Sequence, residues 1–209
     1  MGAEDSAPAA RLSASPSPGG VDAPPQIRPA TAADACAIVD LLATIGVEGT
    51  LGVDPSTLRV DEEAARLAHL DLRTACALVV AIGGLVRGFA VAVRGTEPPI
   101  AHTATVSVAV AADSRRRGCG RLLLGGLSVW ARAAGLSKLC AGVVDRNDPA
   151  LALFHRAGYA VEGIRRGQLA LGGRLADEIM FGLRLQPFPD GDGLRPRHTR
   201  GTDGRRRNA

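Results

Sequence analysis

The chain has 209 residues, of which 46% are hydrophobic and 3% aromatic, and carries a formal net charge of +4. That length suits one domain with tails and a core able to hold itself together, and no apolar run reaches membrane-spanning length. The charge misleads: from Pro187 onward six arginines face three aspartates, so the remainder is close to neutral and the high pI says little about the folded part.

Residues 1–24, rich in Ser, Pro and Gly, bury too little apolar surface to offset ordering and read as a disordered tail. The opening M-G-A-E-D-S has no basic segment followed by an apolar one, so a secretory signal is not expected and a cytoplasmic location is. Gln26, Ile27 and Arg28 form a brief strand. Thr31 followed by Asp34 resembles a capping box with Asp in the usual Glu place. It starts a helix whose inner face carries Cys36, Ile38, Leu41, Leu42 and Ile45. After an irregular stretch over 49–55, Asp61 begins a second helix through Leu67, Leu70 and Leu72.

Residues 75–82 read as a strand, paired through a Gly83-Gly84 hairpin turn with 85–93. A strand over 103–110 follows, then an Arg/Gly loop and a long helix with Leu123, Leu124, Leu127 and Trp130 at helical spacing. Gly125 and Gly126 inside that helix each cost ~1 kcal/mol against Ala, which close packing on the sheet would explain. Gly135 stops the helix, 136–144 is a strand, and 147–157 is a short helix with Pro149 in its first turn. Two long strands, 159–171 and 174–185, meet at Gly172-Gly173. The order β-α-α-β-β-β-α-β-α-β-β predicts an α/β fold with a mixed central sheet of about seven strands and flanking helices. The domain spans 25–186, with a disordered Arg-rich tail over 187–209.

The four cysteines, Cys36, Cys76, Cys119 and Cys140, stand singly in apolar surroundings and read as buried small hydrophobes in a reducing cytoplasm. No Cys/His spacing suggests a metal. Cys119 alone sits at a helix start, where a thiol can be acidified, but no histidine accompanies it.

The most informative stretch is V-S-V-A-V-A-A-D-S-R-R-R-G-C-G-R over 106–121. A strand running through Arg115, Arg116, Arg117, Gly118, Cys119, Gly120 and Arg121 into a helix start suits an anion. The first turn leaves backbone N–H groups unpaired at the positive end of the macrodipole. Small residues let a phosphate approach them, and arginines add charge. A Walker loop would need Gly-Lys-Ser/Thr, and a dinucleotide fingerprint a third glycine where Leu123 stands. Arg/Gly clusters also occur as plain surface turns, so the rest of the chain decides.

Arg115-x-x-Gly118-x-Gly120, with Val110 five residues earlier, resembles the acyl-coenzyme A loop of the GCN5-related N-acetyltransferases. N-D-P-A-L-A-L-F-H-R-A-G-Y, with Asn147, Ala150, Leu153, Gly158 and Tyr159, is similar to that family's N-x-x-A-x-x-L-Y-x-x-x-G-F signature. The closing hairpin is similar to that of members acetylating amino acids and other small amines. The resemblance covers about residues 26–185. It implies an acetyl-CoA-dependent N-acetyltransferase in which a primary amine attacks the thioester directly.

The same resemblance implies roles. Val108, Ala109 and Val110 run beside the pantetheine arm, and the Val108 amide donates to the thioester carbonyl as an oxyanion donor. Residues 116–121 present amides to the pyrophosphate, with Arg115 beside them, and Asn147 binds the cofactor arm. Phe154 stands where the family often has the Tyr that protonates the leaving thiolate. His155, next in line, is the candidate acid, with a surface histidine as the plainer reading. The fourth strand has no Glu to act as base, so His102 just before it is the candidate, an edge residue in solvent being the alternative. Read from the sequence alone, Glu48 in the loop after the first helix could meet a cationic substrate, a solvated loop carboxylate being the commoner situation.

A second class of function is an acyl-CoA-binding regulatory module without turnover, suggested by Phe154 and the bare fourth strand. Six tail arginines, with no aromatic residue in the last twenty positions, argue only weakly for nucleic acid. The expected partner is a small-molecule amine, with no metal and no membrane. A homodimer is compatible with the sequence, which leaves oligomeric state and the identity of the amine open.

Overall fold

The computed structural model describes residues 23–49 and 55–185; the expected tails, and the segment 50–54, lie outside the described residues. Its elements are β1 (Gln26–Pro29), α1 (Ala35–Val47), α2 (Val60–Ala68), β2 (Ala75–Ile82), β3 (Leu85–Arg94), β4 (Thr103–Val110), α3 (Cys119–Ala133), β5 (Lys138–Val144), α4 (Asp148–Arg156), β6 (Ala160–Leu171) and β7 (Arg174–Arg184). The seven strands form one sheet in the order β1-β2-β3-β4-β5-β7-β6. This is the mixed α/β sheet that the element order predicts. Its one parallel pair, β4 with β5, is bridged by α3, as a parallel crossover requires. β7 returns between β5 and β6 and pairs antiparallel with both.

Alternation along the strands divides the core in two. Val80, Val106, Leu139 and Phe181 pack with Leu123 and Leu127 of α3 on one face. Val79, Phe89 and Ala109 pack with Ile38 and Leu41 of α1 on the other. Two expectations change. Cys36 is exposed, because the buried stripe of α1 runs Ala35, Ile38, Leu41, Ile45 and a residue one position round faces out. α2 ends at Ala68, leaving Leu72 62% exposed in the turn that follows. Of the two glycines inside α3, Gly126 fits the packing argument: a Cβ there would lie 2.7 Å from Leu78 Cδ1 and 2.8 Å from Ile27 Cδ1. Gly125 has open space instead. Among the described residues no helix is long and apolar enough to cross a membrane.

Ahead of α1, Asp34 makes its half of the foreseen box and adds a partner the pattern did not show. Its carboxylate accepts from the Thr31 N–H and hydroxyl, each at 2.9 Å, and from both Arg28 guanidinium nitrogens at 2.7 Å. The Arg28 bonds, ahead of those from Thr31, hold its pKa down at about 2 against the ordinary 3.8. A depressed folded-state pKa gives stability that is present above pH 3.8 and lost as pH falls toward 2. Because Arg28 is 44% exposed, screening trims the contribution to about 1–2 kcal/mol. Urea midpoints of the protein and of Asp34→Asn should therefore differ at pH 6 and converge by pH 2.

Candidate functional site

β4 and β5 pair only through Thr103↔Lys138, Ala104↔Leu139 and Thr105↔Cys140. Beyond those three pairs β4 continues to Val110 and β5 to Val144, so the sheet opens into a wedge between them. Backbone groups of successive strand residues point to opposite edges. The Thr103 carbonyl accepts from Gly95, and the Ala111 amide donates to Arg87, both on the β3 side. The His102 carbonyl accepts from Ser137 on the β5 side. By that alternation the Val106, Val108 and Val110 backbones face β5, and Val108 lies within the open part. Ala109 turns its amide to β3, opposite Phe89. The Val110 carbonyl is taken at 3.2 Å by Arg115 Nε, whose guanidinium also reaches Glu48 at 2.6 Å. Glu48 and Arg115 thus neutralise each other.

After β4 the chain adopts two left-handed residues in quick succession, Arg116 at φ 62° and Gly118 at φ 83°. Arg116 is the one positive-φ non-glycine among the described residues, a conformation that stores strain and tends to occur at ligand loops. The first bond into α3 runs from the Leu122 amide to the Gly118 carbonyl at 3.0 Å. The amides of residues 116–121 therefore have no backbone acceptor and surround the N-terminus of a fifteen-residue helix. Alternating backbone hands of this kind curve amides into an anion-binding nest. Arg116, Arg117 and Arg121 are exposed around it. A cleft of about 290 Å³, lined by Arg121, Gly125, Ser128 and Arg156 among others, continues from the loop between α3 and the end of α4.

The two loop glycines have different surroundings. Nothing lies within 4 Å of a Cβ built on Gly118, so its left-handed φ is what calls for glycine there. A Cβ on Gly120 would meet Leu153 Cδ2 at 2.7 Å, so this glycine seats α3 against α4. Cys119 is 1% exposed, and burial raises its thiol pKa despite Arg117 nearby. Asn147 caps α4, its Oδ1 accepting from the Ala150 amide at 3.2 Å.

Phe154 is 3% exposed, stacked on Phe181 at 5.6 Å and edge-on to Tyr159 at 5.0 Å. The hydroxyl of that cluster, on Tyr159, is buried without a partner, and burial pushes its pKa up. His155 lies edge-on to the same Phe181 ring at 5.1 Å, over β7 rather than in the wedge. His102 sits before the paired end of β4, about 20 Å along the strand from Val108 at the usual rise per residue. It does not reach a group held by that amide.

One carboxylate that the sequence pattern did not single out lies over β5, the strand that bounds the wedge on one side. Glu178 of β7 lies across β5 above Gly142, its Cδ 2.7 Å from where a Cβ on that glycine would stand. Glu162, at a bulge in β6, similarly covers Gly182 and pairs with Lys138 at 2.7 Å. The only local trace of either is an acidic residue in a strand, which by itself reads as a solvated face. Among the described residues no group of three or more His, Cys, Asp or Glu could hold a metal ion.

The model of the Acetyltransferase (GNAT) family matches residues 50–159, more than half of the chain. Among curated proteins none matches. Of the solved structures, a ribosomal-protein-alanine N-acetyltransferase from Brucella melitensis is 28% identical over 76% of this chain and 99% of its own, with a TM-score of 0.69. The yncA protein of Salmonella typhimurium, solved with its cofactor acetyl-CoA, is 26% identical over 80% of this chain and 98% of its own, at a TM-score of 0.68. An N-acetyltransferase from Staphylococcus aureus Mu50 shares the fold at a TM-score of 0.72, with 24% identity over 78% of this chain and 99% of its own. The wedge, the amide nest and the family match agree: the chain belongs to the GNAT family and is an acetyltransferase whose acyl donor is acetyl-CoA.

Proposed function

We propose that this chain moves the acetyl group to a primary amine by direct attack, the acceptor being an amino acid or another small amine. The observation that carries the reading is the opening of β4 from β5 after Thr105, with the Val108 amide turned into it. When bound, acetyl-CoA supplies an acyl group activated as a thioester. The residues present fit that donor. The amides of 116–121 suit its diphosphate, Arg121 and Arg156 border the adjoining cleft, and the wedge suits an extended arm between strands. Asn147, at the start of α4 after β5, is the polar group we assign to that arm, whereas Phe154 is packed into the core against Phe181 and Tyr159.

The Val108 N–H donates to the carbonyl oxygen as negative charge grows there, and a fixed donor needs no reorganisation at that moment. Holding acceptor and donor in one gap adds orientation, which can supply several kcal/mol of the barrier. With its four cysteines unpaired, the protein suits a reducing cytoplasm. The alternative, binding without turnover, draws on Phe154, whose ring occupies the usual acid position with no hydroxyl.

Purified protein with acetyl-CoA and a panel of free amino acids, then simple alkylamines, should release thiol at about 1 s⁻¹ or faster with its best acceptor. Calorimetric binding of coenzyme A with no thiol release from any amine would favour the non-catalytic reading.

A further inference from the structure

Resting on the acetyl-transfer reading above, we propose that Glu178 is the general base that takes the proton from the incoming amine. Gly142 lies two residues past Cys140, the last β5 residue to pair with β4, so the strand edge beside it faces the wedge. Across the opening stands Ser107, two residues past Thr105 and one before Val108. The Glu178 carboxylate occupies the space that any larger residue at position 142 would fill. Val143, Ile179 and Phe181 point to the opposite face, toward α3 and α4, which puts Glu178 on the other side of the sheet, where β4 exposes Thr105 and Ser107.

The carboxylate is held but not exhausted. Arg165 Nη1 reaches its Oε2 at 3.2 Å, while Oε1, the oxygen nearest Gly142, has no hydrogen-bond donor among the described residues. The side chain is 18% exposed and so open to a small molecule. A primary amine arrives at neutral pH as an ammonium, which a lone carboxylate oxygen attracts, and it must lose a proton before its nitrogen is nucleophilic. Glu178 Oε1 accepts that proton directly or through one water. The nitrogen lone pair forms the C–N bond, the C–S bond breaks with its electron pair leaving on sulfur, and the second proton that the nitrogen sheds on becoming an amide passes through solvent to the thiolate. The products are the amide and the free thiol, and Glu178 gives its proton back to solvent. Neither histidine near the site is placed for this, His102 being at the far end of β4 and His155 over Phe181.

The test uses the full chain and the best acceptor from the panel of amino acids and alkylamines. Glu178→Ala is expected to lower kcat by about 10²–10³-fold with the coenzyme A dissociation constant within twofold of the parent. Added sodium formate should restore at least about tenfold of that loss, which a purely structural role for Glu178 would not allow. Gly142→Ala, which leaves the carboxylate in the chain but puts a methyl group in its place, should also lower kcat. The double variant should be no slower than Glu178→Ala alone, since both changes remove one contribution. If Glu178→Ala keeps kcat within threefold, or loses it without formate rescue, Glu178 is not the base and the acetyl-transfer reading stands. If the parent protein releases no thiol with any amine, that reading fails and the role of Glu178 fails with it.

Discussion

Gly118→Val is expected to raise the coenzyme A dissociation constant about 100-fold while lowering the melting temperature by only about 3 °C. The position is open to solvent, with no atom within 4 Å of a built Cβ, so there is no clash to unfold the protein. The conflict is conformational. A β-branched residue at φ 83° is strongly disfavoured, and the loop escapes by rotating toward negative φ. That rotation turns the peptide planes of 118 and 119 and takes at least two amides out of the proposed diphosphate cradle. Each charge-assisted bond contributes about 1.5–3 kcal/mol, so losing the weaker end of two such bonds already accounts for two decades. Gly118→Ala should fall between the parent and the valine variant. Calorimetry with coenzyme A reads the result directly, and an unchanged affinity would remove the diphosphate from this loop.

Gly120→Val should show the reverse pattern, with stability suffering first. Here the added carbons run into Leu153, and a Cβ alone already lies 2.7 Å from its Cδ2. Overpacking of this kind costs about 1–3 kcal/mol, because α3 and α4 must separate or Leu153 must leave its rotamer. A melting temperature lower by about 3–10 °C is expected. Affinity for coenzyme A should fall by less than in the Gly118 variant, through the displacement of α4 and its cap Asn147. Leu153→Ala combined with Gly120→Val should recover much of the stability, since the smaller side chain makes the room. Failure of that rescue would mean that the glycine is needed for its backbone rather than for the contact.

These two residues belong to one motif, whose spacing does not distinguish them. Its spacing, Arg115-x-x-Gly118-x-Gly120, pointed correctly to a helix start with unpaired amides. It could not show that one glycine serves the loop and the other serves a helix arriving from a later part of the chain. The same holds for Glu48, a free carboxylate in the sequence that the fold spends on Arg115. His102 has the side-chain chemistry of a base, but its place before the paired end of β4 keeps it far from Val108.

Strand alternation, turn glycines, the Thr31–Asp34 pair and the helical stripes depend on residues a few positions apart. They could be read directly, and they predict the order of elements, the glycine turns and the arginine loop. Which strands become neighbours depends instead on contacts between distant segments, and no local pattern contains them. The return of β7 between β5 and β6 brings Glu178 over Gly142, on the strand from which β4 parts after Thr105. A carboxylate in a strand is ordinary; one laid over a glycine at the edge of an open wedge owes its chemistry to packing between strands far apart in the chain.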